Sequence, residues 1–166
     1  MLTDQDILDN LRELDARFTA AASSQDANFQ AKLAILECCG WIEEAMDDII
    51  QKFSTRCLRE SMNQKHCSDV VKKNYGFEYQ QHFRKMLIAI IGLVGVEKLE
   101  RRVDAGKFAR LESALSTLKV IRDTHAHTYL KGTIPTLSAP SFVLNQFEQV
   151  ALGLREFEAR MSERAW

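Results

Sequence analysis

The chain has 166 residues, of which 46% are hydrophobic and 27% charged, and its formal net charge is −1. This composition excludes a disordered chain, and the length supports a hydrophobic core without disulfide or metal staples. No apolar run is long enough to cross a bilayer, and the start shows no secretory signal. We therefore expect one domain over residues 1–166, in the cytoplasm and without a membrane partner.

Charge is distributed unevenly along the chain. Residues 1–50 carry 3 Lys/Arg against 11 Asp/Glu, whereas residues 51–131 carry 16 against 8. A polyanion such as RNA would be attracted to the middle of the chain. The alternative is that acidic N-terminal helices simply pair with basic helices from the middle of the chain.

Apolar residues recur at spacings of three and four along most of the chain, and no segment alternates for long enough to form a strand. We predict helices, in chain order, over residues 4–22, 27–53 with an extension to about 62, 78–93, 107–131 and 140–164. A further short helix over residues 96–103 is compatible with the pattern.

Polar or glycine-containing segments separate these helices. They are residues 23–26, which offer N-caps, the basic connector 63–76, the break 104–106 and the loop 133–139. The resulting fold class is all-α, an up-down bundle of four to five main helices.

The last turns of the fourth predicted helix contain Arg122, His127 and Tyr129 in the spacing Arg-x4-His-x-Tyr. An arginine binds a phosphate through two parallel N–H groups and keeps its charge at any physiological pH. A histidine exchanges a proton near neutral pH. These residue types together are sufficient to break a phosphodiester bond without a metal ion.

Helix geometry complicates this interpretation. Positions 122 and 127 lie about 140° apart around an ideal helix axis, whereas Arg122 is close to His125 and Tyr129. Two arrangements would bring Arg122 and His127 together: a helix that loosens near Thr128, or a second copy of the chain across a twofold axis. The alternative is that Arg122 pairs with an acidic residue and both histidines are ordinary surface or interface residues.

The motif resembles the signature of the HEPN superfamily, small helical proteins that carry Arg-x4–6-His on a late helix. Asp123 supplies the polar residue that often follows the arginine, and Tyr129 completes the form found in HEPN toxins. The stretches 36–44 and 74–79 look similar to the RiboL-PSP-type branch. His125 falls outside the allowed spacing, so we predict that it is dispensable.

The resemblance implies a metal-independent endoribonuclease that needs no cofactor and works as a homodimer. The 2′-hydroxyl of RNA would attack the adjacent phosphate, with His127 moving the proton, Arg122 stabilising charge and Tyr129 positioning the phosphate. It further implies a toxin or phage-defence effector, restrained by a nucleotidyltransferase-like antitoxin or another regulatory protein. The main alternative is a non-catalytic HEPN dimerisation or nucleotide-binding adaptor. A third is a helical adaptor unrelated to HEPN proteins.

Several basic residues are candidates for contacts with RNA phosphates, although plain solubility explains them equally well. They are Lys72, Lys73, Arg84, Lys85, Lys119 and Lys131. Two other groups contain residue types that bind metals, but acid pairs without a histidine are typical of a solvated face, and the cysteine–histidine set lacks a fourth ligand and a known spacing. They are the acid pairs Glu43/Asp47 and Glu44/Asp48, and the set Cys57, His66 and Cys67. Glu43 or Glu44 could instead hold Arg122 in place.

Overall fold

A computed structural model of the chain describes residues 4–127 and 137–163. Within these residues it contains six α-helices, one π-helical turn and no strand, so the all-α prediction is confirmed. The elements are α1 (Gln5–Thr19), α2 (Ser24–Cys57), α3 (Ser61–Lys72), the π-helical turn (Tyr79–Phe83), α4 (Arg84–Arg102), α5 (Ala105–His127) and α6 (Pro140–Ser162).

Local capping explains where the long helices begin. Ser23 is extended, and its Oγ accepts a hydrogen bond from the Asp26 N–H at 3.1 Å, which starts α2 at Ser24. Asp104 does the same for α5, since its Oδ1 accepts from the Lys107 N–H at 2.8 Å. The segment 104–106, which the sequence predicts to be a break between helices, therefore contains the start of α5.

The predicted connector over residues 63–76 is wrong over residues 63–72, because α3 occupies residues 61–72. Cys67 is buried, and Val70 and Val71 pack against the main core. These three residues have the spacing i, i+3, i+4 of a helix face. The stripe is short and its neighbours are polar, so the sequence pattern alone did not reveal the helix.

The third predicted helix also differs from the structure. It begins with the π-helical turn, whose Tyr79 and Phe83 are buried, and continues as α4 to Arg102. The predicted helix over residues 96–103 is the second half of α4. Gly92 separates the two halves with φ +69° and ψ 166°, a conformation that glycine adopts without steric cost.

The helices α1, α2, α5 and α6 form the central bundle. Within it, α2 and α6 each pack against the other three helices. The helices α3 and α4 lie at its side, where α3 contacts α2 and α4. The largest fully buried side chains include four phenylalanines: Phe77, Phe83, Phe147 and Phe157. No helix among the described residues is long and apolar enough to cross a membrane.

Candidate functional site

Arg122 lies near the end of α5 and faces α2. Its Nε and Nη2 donate to Asp123 Oδ1 at 3.2 and 3.0 Å, and its Nη1 lies 3.6 Å from Glu43 Oε1. The guanidinium carbon stands 5.1 Å from the centre of the Phe77 ring, which gives a cation–π contact. Asp123, Glu43 and Phe77 thus hold the arginine, while its side chain remains 31% exposed to solvent.

The wall beneath Arg122 comes from the segment between α3 and the π-helical turn. Gly76 has φ +142°, and Asn74 Nδ2 donates to the Gly76 carbonyl at 3.1 Å, which closes a tight turn. This turn directs the following residue, Phe77, into the core, where it is almost completely buried. The aromatic face that contacts Arg122 is therefore fixed by packing.

A second cation joins the cluster through Asp123. Lys119 Nζ lies 3.0 Å from Asp123 Oδ2, one helical turn away on α5. Hydrogen bonds from Lys119 and then Arg122 lower the pKa of Asp123, and the same carboxylate raises the pKa of Lys119. Two cations thus share one carboxylate at the surface, and an incoming phosphate would compete with Asp123 for both.

Cys39 is the buried neighbour of this cluster on α2. Burial raises the pKa of its thiol to about 12, although the charge of Arg122 acts in the opposite direction. A thiol with such a pKa stays protonated at neutral pH and is a poor nucleophile. Cys39 therefore belongs to the core and not to the chemistry of the site.

His127 is the last residue of α5, and Tyr129 follows it in the sequence. The helix α5 is regular through His127, so position 127 stays about 140° around its axis from position 122. The side chain of His127 lies outside the described part of the chain, as do Tyr129 and Lys131. Of the predicted site, the structure brings together Arg122, Asp123 and Lys119.

His125, which the motif spacing predicts to be dispensable, is buried. It is 2% exposed and forms a hydrogen bond with the backbone of Ala31 on α2. Its Nδ1 has no hydrogen-bond partner among the described residues. Burial, with a smaller contribution from Lys32, lowers its pKa. A signal was available, since His125 lies seven residues after Leu118 and so continues the apolar stripe of α5.

The weaker predicted RNA contacts separate into two environments. Lys73 and Lys85 line a common cavity of about 390 Å³ between the end of α3 and the start of α4. Lys72 is exposed beside them at the end of α3. Arg84 instead donates from Nε to Glu100 Oε1 at 2.7 Å, and this ion pair is largely shielded from solvent.

The acidic face of α2 contains one carboxyl with an unusual environment. Burial, and then the charges of Glu43 and Glu44, raise the pKa of Asp47 to about 6. Its Oδ1 is buried and accepts no hydrogen bond from any described residue. No group of three or more His, Cys, Asp or Glu side chains able to hold a metal ion occurs in the described ranges.

No protein-family model, no curated protein sequence and no solved structure matches this chain.

Proposed function

We propose that this chain is a HEPN-type, metal-independent endoribonuclease. The observation that supports this most is the partly exposed guanidinium of Arg122, held against Phe77 at the end of α5, five residues before His127. Lys119 adds a second positive charge through Asp123. A cationic cluster of this kind stabilises the negative charge that develops on phosphoryl oxygens.

The proposed reaction uses the RNA itself as the nucleophile. The 2′-hydroxyl attacks the adjacent phosphorus while His127 accepts its proton, and the P–O bond to the 5′-oxygen of the next nucleotide breaks. That oxygen takes up the proton from the protonated His127 and leaves as a hydroxyl, and the other product ends in a 2′,3′-cyclic phosphate. Arg122 stabilises the pentacovalent phosphorane, Tyr129 positions the phosphate, and Asp123 orients Arg122.

Dimerisation would complete this site. The side chains of Phe29, Leu33 and Leu36 on α2 are exposed and form an apolar stripe at helical spacing. Leu36 lies seven residues before Glu43, so the stripe and the partner of Arg122 share one face of α2. A second copy bound to this stripe would stand beside Arg122 and supply a further motif to the same cleft.

A second function, a non-catalytic HEPN adaptor that dimerises or binds a nucleotide, is favoured by one observation. In the single chain, three nitrogens of Arg122 face carboxylates, two toward Asp123 and one toward Glu43. An arginine that serves only to stabilise the bundle would look the same. Cleavage of RNA in EDTA by the purified protein separates the two functions.

The biological role follows the same resemblance. A HEPN ribonuclease of this size would serve as a toxin or phage-defence effector, held inactive by a nucleotidyltransferase-like antitoxin or another regulatory protein. Co-purification of the product of a neighbouring gene that abolishes cleavage would support this role.

The mechanism is tested with four substitutions and one altered substrate. Arg122→Ala should lower cleavage roughly 10²–10³-fold and His127→Ala ~10²–10⁴-fold, both in EDTA. Tyr129→Phe should cost less, because one hydrogen bond is worth about 0.5–1.5 kcal/mol. Asp123→Asn should lower the cleavage rate and raise KM, because Arg122 would lose the carboxylate that orients it. A substrate with 2′-deoxyribose at the cleavage site should resist.

Matched controls are available on α3 and α4. Arg101 and His66 are exposed, and Arg101→Ala and His66→Ala should cleave at the wild-type rate. Circular dichroism should show the same helical content for every variant. Undiminished cleavage of the 2′-deoxy substrate, or full activity of His127→Ala, would exclude this mechanism.

A further inference from the structure

The cavity between α3 and α4 has the size and the walls of a ligand site. Its volume of about 390 Å³ falls within the range of roughly 300–1,000 Å³ that small-molecule sites occupy. It is bounded by the end of α3, the turn before the π-helical turn, and the start of α4. Its walls combine two lysines, one tyrosine, one histidine and amide side chains with the apolar Val70 and Met86.

Its charge is positive. Lys73 and Lys85 line it, and neither forms an ion pair with a described residue, although Lys85 Nζ donates to Gln81 Oε1 at 2.9 Å. Among the described residues that line the cavity, none carries a carboxylate. Glu78 is close by, with Oε2 3.9 Å from His82 Nδ1. Two uncompensated ammonium groups favour an anionic ligand.

Tyr75 adds a recognition element of another kind. It lines the cavity and is 84% exposed, which leaves a large ring face open to solvent. Aromatic rings beside basic side chains are the usual platform for unpaired nucleic-acid bases, because every base has a π-face that stacks. A site that binds only phosphate would require the lysines but would not require an exposed tyrosine ring.

His82 is held in a fixed position at the wall of the cavity. Its Nδ1 accepts a hydrogen bond from the Glu78 backbone N–H at 3.1 Å, so in the neutral ring the proton is on Nε2. The ring lies directly over Gly76, where an added Cβ would stand 2.6 Å from Nε2. The glycine thus leaves room for a histidine whose tautomer and position are both set.

We propose that this cavity binds a nucleotide of single-stranded RNA, with its base stacked on Tyr75 and its phosphate held by Lys73 and Lys85. The segment that contains Tyr75 also contains Phe77, which contacts Arg122, so the cavity and the Arg122 cluster lie at two ends of one short turn. The inference rests on the proposed function, because it assigns the site of a nucleotide that flanks the bond to be cleaved.

The test measures binding without cleavage. A short fluorescein-labelled oligoadenylate with 2′-O-methyl sugars lacks the attacking hydroxyl, and its fluorescence anisotropy reports the dissociation constant for the full chain. Tyr75→Ala should weaken binding about 5- to 150-fold, the equivalent of one lost base stack. Tyr75→Phe keeps the ring and should bind like the wild type.

The lysines are tested through salt dependence. The double variant Lys73→Gln/Lys85→Gln should reduce the slope of log affinity against log salt by about 0.7, the value for the one phosphate of a single strand that the two lysines share. The matched control is Lys65→Gln/Lys98→Gln, which removes the same charge from exposed positions that do not line the cavity. Its slope should match that of the wild type.

Several outcomes would overturn the inference. They are absence of oligonucleotide binding to the wild type, equal binding by Tyr75→Ala, and an equal loss of slope in both lysine pairs. The inference would also be overturned if the protein bound adenosine 5′-monophosphate in a Tyr75-dependent way but did not bind the oligonucleotide. The ligand of the cavity would then be a free nucleotide.

RNA cleavage, measured separately, distinguishes the two proposals. Tyr75-dependent binding by a protein that does not cleave would support this inference and reject the proposed function. Cleavage together with unchanged binding in Tyr75→Ala would reject only the inference.

Discussion

The carboxylates around Arg122 position it without blocking it. Exposed ion pairs such as those with Glu43 and Asp123 contribute only about 0.2–1 kcal/mol each. A phosphate that accepts two parallel hydrogen bonds from the guanidinium would therefore displace them at small cost. The contact with Phe77 is different, because the ring is buried and stays in place when the anion changes.

At the same scale, His125 should matter for stability and not for cleavage. Its side chain is buried against α2, so His125→Ala should lower the free energy of unfolding by roughly 0.5–3 kcal/mol. Cleavage per folded molecule should remain that of the wild type. Urea denaturation and a cleavage assay below the transition check both parts, with the exposed His66→Ala as the control.

His125 also makes stability depend on pH. Burial lowers its pKa in the folded chain below the ordinary 6.5, so the unfolded chain binds more protons between these two values. The free energy of unfolding should therefore fall as the pH falls below about 6.5. His125→Gln does not titrate and should flatten this dependence. An equal pH dependence in the two proteins would contradict the assignment.

At the scale of elements, the contact between α5 and α6 depends on a glycine. An added Cβ at Gly153 would lie 2.6 Å from Leu111 Cβ, which is closer than real contacts allow. Gly153→Ala should therefore destabilise the protein by up to about 2 kcal/mol, because overpacking costs roughly 1–3 kcal/mol and helix propensity returns ~1 kcal/mol. Urea denaturation at low protein concentration measures the change.

The control for this prediction is another helical glycine. Nothing lies within 4 Å of a Cβ added at Gly40 on α2, so Gly40→Ala should stabilise the single chain by up to about 1 kcal/mol. If both substitutions stabilised the protein, α5 and α6 would have room for an added methyl group at Gly153, and the close contact with Leu111 would be contradicted.

The π-helical turn is the element that ties α4 to the bundle. The rings of Tyr79 and Phe83 pack in an aromatic cluster with Phe108 and Phe157. The Tyr79 hydroxyl donates to Glu100 at 2.7 Å, and Arg84 binds the same carboxylate. This network explains why Arg84 is held at the side of α4, and it leaves Lys73 and Lys85 as the basic residues at the cavity.

At the scale of the whole molecule, the proposed dimer depends on the apolar stripe of α2. Leu33→Glu should convert a dimer into a monomer, because burial of a leucine contributes about 1.5–3 kcal/mol per copy. The dissociation constant would rise more than ~100-fold. Light scattering at tens of micromolar, about the range where modest interfaces still hold, measures the assembly.

Leu152→Glu is the matched control for this prediction. Leu152 lies on α6 and is 43% exposed, compared with 44% for Leu33. Its substitution should leave the dimer intact, and both variants should retain the helical fold. A wild-type protein that is monomeric at these concentrations would count against the dimer, and cleavage by that monomer would show that one copy suffices.

Much of the fold follows from local signals in the sequence. Ser23 caps α2 through a hydrogen bond three residues along the chain, and the stripes of α1, α2, α5 and α6 have the period of a helix. These interactions join residues within one or two turns, so the residue types alone indicate them. The prediction of a connector was wrong over residues 63–72, because the helix there, α3, gains its stability from packing against α2 and α4.

The sequence by itself determined the all-α class and the motif Arg-x4-His-x-Tyr, because both depend on short spacings along one chain. Only the tertiary structure decided what surrounds Arg122 and His125. Glu43 and Phe77 reach Arg122 from positions 79 and 45 residues away, and His125 is buried against Ala31. Such contacts depend on how whole helices pack, which is a collective result of burial and which no local pattern encodes.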